Sequence, residues 1–229
     1  MNRNPIIVAL DYESPAEASA LVSRLGDRVD FYKIGMELYA AAGMAFAREL
    51  RAQGKNVFLD MKFYDIPETV KRAVCQVARA GLQLLSIHGS DAVMRAAVEG
   101  RGAASLKLLA VSVLTSFDRQ DLADLGYPCE VSDLVDLRAR KAMETGVEGI
   151  VCSPLDAARV RGLAGPGAVL VTPGVRSAGS AKADQKRVAT PAEAIRDGAD
   201  YVVMGRQITR ATDPAAEVDR VLEEIGSLV

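Results

Sequence analysis

Short apolar, β-rich runs alternate with longer helical patterns along the whole sequence, and this alternation constrains the fold more than any other feature. The strand-like runs are Ile6–Asp11, Asp30–Gly35, Asn56–Lys62, Leu84–His88, Leu106–Val113, Gly149–Cys152, Val169–Thr172 and Tyr201–Met204. Helical stretches lie between and after them, near Pro15–Leu25, Glu37–Gln53, Pro67–Ala80, Asp91–Arg101, Ser132–Thr145, Leu155–Leu163, Pro191–Asp197 and Pro214–Ile225. Several open on proline, whose missing N–H costs nothing in the first turn of a helix. Strand–helix alternation predicts a parallel sheet with crossover helices, an α/β class. Eight units in 229 residues fit a closed (β/α)8 barrel of the TIM type better than an open doubly wound sheet. No linker or low-complexity tract divides the chain, so residues 1–229 are expected to form a single domain.

Strands buried on both faces should read as continuous apolar runs. The informative departures are therefore the charges at their C-terminal ends: Asp11, Lys33, Asp60 and Lys62. Barrel enzymes carry their chemistry at that end. In the segment FLDMKFYDIPET, Asp60 and Lys62 are two apart and so point to one side of a regular strand. Lys33 ends the preceding strand, and Asp65 follows as strand gives way to helix. The expected result is an alternating array of Lys33, Asp60, Lys62 and Asp65. A lysine between carboxylates is held protonated, ready to stabilise or protonate a carbanion beside it. Each member also has a plainer reading. Asp65 and Glu68 have capping-box spacing. Asp60 with Lys62 also fits a structural ion pair at the barrel rim, Lys33 a surface lysine, and Asp11 a cap before the Pro15 helix.

Phosphate sites in barrels commonly use the loops after strands seven and eight. Those places hold Pro173-Gly174-Val175-Arg176 and Gly205-Arg206. Glycine lets the backbone approach an anion, and arginine adds a charge-assisted pair. The loop Pro173–Thr190 is rich in Gly, Ala, Ser and Lys, and its Gln185 is placed to close over a ligand. The plainer reading is of ordinary turns and a solvated arginine. A second long segment, Thr115–Glu130, is expected to contain a helical turn.

Composition narrows the classes of function. Lys and Arg total 28 against 30 acidic residues, a net charge of −2, without the basic surplus of a nucleic-acid binder. There is no tryptophan and aromatics are 5%, which disfavours stacking platforms for single strands. The first apolar run, about six residues long, is too short for a signal core or a membrane span. Cys75, Cys129 and Cys152 are odd in number and widely spaced, as suits a reducing cytoplasm better than disulfides or a cysteine zinc site. His88 is the only histidine; it excludes a multi-histidine metal centre and is given no role.

Asp60-x-Lys62-x-x-Asp65-Ile66-Pro67 with Thr69 resembles the signature of the orotidine 5′-monophosphate decarboxylase family. The similarity continues through Leu10-Asp11, Lys33-Ile34-Gly35, Leu114-Thr115-Ser116, Thr172-Pro173-Gly174-Val175-Arg176 and Gly205-Arg206, in order along nearly the whole chain. The resemblance implies decarboxylation of orotidine 5′-monophosphate to UMP, the last step of UMP synthesis, with no cofactor and no metal. It implies that Asp60 meets the substrate carboxylate, Lys62 protonates C6, and Lys33 orders the array and touches the ribose. Asp11 would bind the ribose hydroxyls and Thr115 the pyrimidine. Pro173, Arg176, Gln185, Gly205 and Arg206 would hold or enclose the phosphate. Asp65, Ile66 and Thr69 would reach a neighbouring subunit's site, making the active unit a homodimer with shared sites. The alternative is a related barrel with an Asp-x-Lys strand that acts on a sugar phosphate through a divalent metal. A third reading, from another class, is a non-catalytic phosphate-ligand binder on the same fold.

Overall fold

In the computed structural model, which describes residues 4–177 and 189–227, eight parallel strands close into a barrel in sequence order. The first units are β1 (Ile6–Ala9), α1 (Pro15–Leu25), β2 (Phe31–Ile34), α2 (Met36–Ala52), β3 (Asn56–Phe63) and α3 (Pro67–Arg79). The middle of the chain supplies β4 (Leu84–His88), α4 (Asp91–Arg101), β5 (Lys107–Val111), α5 (Arg119–Asp124) and α6 (Val131–Thr145). Then come β6 (Gly149–Val151), α7 (Ala157–Ala164), β7 (Val169–Pro173), α8 (Pro191–Arg196), β8 (Tyr201–Met204), α9 (Arg206–Thr209) and α10 (Pro214–Gly226). Closure is made by β1 against β8, Ile6 opposite Val202 and Val8 opposite Met204.

Two apolar layers explain why the strands read as continuous hydrophobic runs. Alternate residues such as Ile7, Phe31, Phe58, Leu109, Val171 and Tyr201 fill the barrel interior. Their neighbours, among them Ile6, Val8, Leu59, Leu85 and Val202, face outward and are covered by the helices. Caps follow local chemistry: Ser14 accepts from the Glu17 N–H at the start of α1, and Thr190 does the same for Glu193 in α8.

The expected architecture is present, with shifts at element ends. The expected strand to Asp11 stops at Ala9, although the Leu10 N–H still donates to the Lys33 carbonyl at 2.9 Å. The expected helix Leu155–Leu163 divides into a 3-10 turn, Pro154–Asp156, and α7. The helical turn expected after the fifth strand is α5. The four-residue α9 has no counterpart in the sequence pattern; one turn is too short to display a helical period. Among the described residues no helix is long and apolar enough to cross a membrane.

Candidate active site

A cavity of about 310 Å³ opens at the C-terminal ends of the strands. Its walls carry Asp11, Lys33, Asp60 and Lys62 from the ends of β1 to β3, Thr115 and Ser116 after β5, and Pro173, Gly174, Arg176, Gly205, Arg206 and Gln207 from the ends of β7 and β8, where Gly205 stands beside Asp11. Most of the residues singled out from the sequence thus share one chamber, although they are spread over nearly two hundred positions of chain.

One wall is a chain of alternating charge. The Lys33 ammonium donates to Asp11 Oδ1 at 3.0 Å and lies 3.8 Å from Asp60 Oδ2. Asp60 Oδ1 in turn accepts from Lys62 Nζ at 3.0 Å. Burial works against a charged Asp60, but Lys33, Lys62 and the hydrogen bonds from Ser86 and Lys62 outweigh it, and the carboxyl stays below the usual range. Gly35 leaves room for this network: a Cβ there would stand 3.0 Å from Lys33 Nζ and 3.2 Å from Asp11 Oδ1.

The ordering differs from the sequence expectation. Within one subunit the array runs Asp11, Lys33, Asp60, Lys62, and Asp65 is not in contact with it. Asp65 is exposed, does not line the cavity, and has no ion-pair partner among the described residues. Nor does it form a capping box with Glu68. The N-cap of α3 is Ile66, whose N–H donates to Asp65 Oδ1 at 2.6 Å, while Glu68 pairs with Arg72. Ile66 and Thr69 are likewise exposed and away from the cavity.

Simple strand alternation does not bring Asp60 and Lys62 together. From Leu59 to Phe63 β3 advances four residues while its partner β4 advances two, from Leu85 to Ile87. The surplus forms a bulge, with Lys62 at φ 49°, a left-handed conformation uncommon outside glycine. Ser86 fills the interrupted ladder. Its hydroxyl accepts from the Lys62 N–H at 2.9 Å and donates to Asp60 Oδ1 at 2.7 Å. Sequence reasoning misses Ser86; its one signal is a hydroxyl inside the apolar run LLSIH, where a buried polar group needs partners.

After these strands, β7 ends at Pro173 and Gly174 takes φ 80°, a turn open to glycine and costly to other residues. Val175 then bridges to Ala189, and the Arg176 N–H donates to the Ala189 carbonyl at 3.0 Å. Gly205 and Arg206 open α9 after β8. Gln185 lies outside the described residues. His88, given no role from the sequence, does not line the cavity; it stacks on Tyr64 with ring centroids 4.2 Å apart. Burial, aided by Arg138, lowers its pKa to about 4. No cluster of three His, Cys, Asp or Glu side chains able to hold a metal occurs among the described residues.

The family model for orotidine 5′-phosphate decarboxylase / HUMPS proteins matches residues 4–221. The chain belongs to this family. It is 53% identical over 223 residues to the orotidine 5′-phosphate decarboxylase of Rhodopseudomonas palustris strain BisA53, covering 97% of this chain and 95% of that protein. Against the enzyme of the same name from Nitrobacter winogradskyi it is 50% identical over 224 residues, 98% and 93% of the two chains. The crystal structure of orotidine 5′-phosphate decarboxylase from Lactobacillus acidophilus superposes with a TM-score of 0.85 at 33% identity, covering 97% of this chain and 99% of the other.

Proposed function

We propose that Lys62 is the proton donor in the reaction of this family member, and that the cavity described above is where the reaction occurs. The chain is a carboxy-lyase that decarboxylates orotidine 5′-monophosphate to UMP in pyrimidine biosynthesis. Loss of carbon dioxide from C6 leaves an electron pair in an sp² orbital with no adjacent carbonyl to absorb it. A fixed ammonium at that carbon supplies preorganised electrostatic stabilisation and then the proton. The observation that carries the assignment is the Lys62 ammonium, held 3.0 Å from an ionised Asp60 inside the cavity. In this reading Asp60 meets the substrate carboxylate, Lys33 orders the array, and Lys33 and Asp11 bind the ribose. Thr115 meets the pyrimidine, and Pro173, Gln185 and Gly205 with the two arginines hold the phosphate, whose binding energy serves the distant chemistry.

Asp65, Ile66 and Thr69 serve the site of a second copy in a homodimer. Support comes from their exposure beside large apolar side chains that face solvent in a single subunit: Tyr64 at 68%, Ile66 at 67% and Met36 at 63%. The reading takes residues 1–229 as one catalytic domain working in the cytoplasm on a small molecule, without nucleic acid, membrane, metal or cofactor.

The direct test is the fall in orotidylate absorbance on mixing with purified protein; a folded dimer without turnover removes the proposal. Chelation with EDTA should leave the rate unchanged, and activity lost to EDTA and restored by magnesium would overturn the metal-free reading. Mixing Lys62→Ala with Asp65→Ala subunits should regenerate one intact site per mixed dimer. No recovered activity would show that each subunit uses its own Asp65.

A further inference from the structure

Arg176, in the segment after β7, and Arg206, at the start of α9, both line the cavity, and one side chain ties the two segments together. Gln207 follows Arg206 directly and Ser177 follows Arg176 directly. The Gln207 Oε1 accepts from the Ser177 backbone N–H at 3.1 Å, and its Nε2 donates to Ser177 Oγ at 2.9 Å. The remaining Nε2 hydrogen goes to Glu217 Oε1 on α10 at 2.8 Å. Glu217 is itself gripped by Arg220 through contacts of 2.6 and 3.0 Å. Only one orientation of the amide satisfies all three partners, because the backbone N–H requires the oxygen to face Ser177. Ser177 is 4% exposed, so its groups depend on these bonds in place of water.

We infer that Gln207 is a positioning residue for phosphate recognition, setting the reach of Arg176 against that of Arg206. The inference rests on the assignment of those arginines to the phosphate. The Ser177 N–H is consumed by the amide and is not offered to a ligand, whereas Arg176, the residue before it, lines the cavity. Each arginine is one bond from the clamp, and Glu217 anchors the clamp to a thirteen-residue helix that belongs to the barrel wall. Loss of the amide would remove the tie between the Arg176 segment and α9, leaving that segment held by its bridge to Ala189 and able to shift against Arg206. Two cations aimed at one dianion lose affinity when either drifts by about an ångström.

The test compares kcat/KM for orotidine 5′-monophosphate with that for orotidine, which lacks the phosphate, in Gln207→Ala, Ser177→Ala and Arg206→Ala. Gln207→Ala should lower the value for the phosphorylated substrate about tenfold, mostly through KM, and leave that for orotidine within about twofold, as expected when one or two hydrogen bonds to a binding loop are lost. Ser177→Ala, which removes only the hydroxyl, should act in the same direction by about threefold, and the double variant should be no worse than Gln207→Ala alone. Equal losses with both substrates, or none with either, would overturn the role of Gln207. If Gln207→Ala does not fold, Ser177→Ala decides the question by the same comparison of substrates. Arg206→Ala separates phosphate binding from positioning. If it too fails to discriminate between the substrates, the phosphate assignment has failed; if it discriminates and Gln207→Ala does not, only the positioning role has failed.

Discussion

The two sides of the cavity hold their functional groups by different means. On the side proposed to carry the chemistry, four charged residues from the ends of three strands lie in a chain of ion pairs, and a bulge with Lys62 in the left-handed region brings Lys62 onto Asp60. On the side proposed to bind phosphate, Gly174 and Arg176 follow β7, Gly205 and Arg206 open α9, and neutral hydrogen bonds from the Gln207 side chain join the two segments. Ion pairs in a partly buried site fix positions steeply, because each unpaired charge would bear its full desolvation cost. Loops tied by amides hold geometry at lower cost and yield more readily. Substitutions on the reacting side should therefore damage the chemical step, and those on the other side should damage binding.

The most severe break of that contrast is Lys62→Ala. Turnover should fall on the order of 10³-fold or more, the scale for losing proton transfer and a preorganised charge together. Titration calorimetry with UMP should still detect phosphate-dependent binding, since the other side is untouched. Near-normal turnover would remove Lys62 from the chemistry. Arg206→Ala attacks the opposite side: KM for orotidylate should rise roughly 10- to 100-fold, the worth of a charge-assisted hydrogen bond, with kcat much less affected. A fall confined to kcat would erase the distinction between the sides.

Ser86→Ala sharpens the comparison by testing the bulge alone. It withdraws the acceptor of the Lys62 N–H and one donor to Asp60, so kcat should fall about tenfold with KM nearly constant, the result of an unsatisfied buried group worth ~1–3 kcal/mol. An unchanged kcat would mean that the array keeps its geometry without the hydroxyl.

The smallest effect concerns His88, which borders the reacting side without lining the cavity. Its folded pKa of about 4 lies below the 6.5 of a free histidine, so the unfolded chain binds a proton that the native state refuses. The associated stability is intact above pH 6.5 and is lost as pH falls toward 4. After solvent screening at this half-buried ring, that loss is about 1–2 kcal/mol. Urea unfolding at pH 7 and pH 4.5 should show this part of the pH dependence flattened in His88→Gln, with turnover at pH 7 retained. Identical pH dependence in the two proteins would refute this role for the ring.

Much of the fold and site is legible in the chain. Apolar strands with charged C-terminal ends announce a barrel and the end where its site lies, because burial on both faces leaves only strand termini free to carry Asp11, Lys33 and Lys62. The Ile66 and Thr69 positions are legible as motif but not as place, since exposure is not encoded in spacing. Gln207 gives no signal at all. Its partners Ser177 and Glu217 are separated by forty positions, and an exposed-looking glutamine has no period to betray a role.

The sequence by itself determined the parallel barrel, the family, and the charged residues gathered at one mouth, because these follow from hydrophobic period and local motif. Only the tertiary structure decided the order of the array within one subunit, with Asp11 in contact and that subunit's own Asp65 not, since that depends on which strand ends lie side by side after closure. It also decided that Asp60 meets Lys62 through a bulge completed by Ser86. That pairing depends on a register shift between β3 and β4, a relation between two strands that neither strand's own sequence contains.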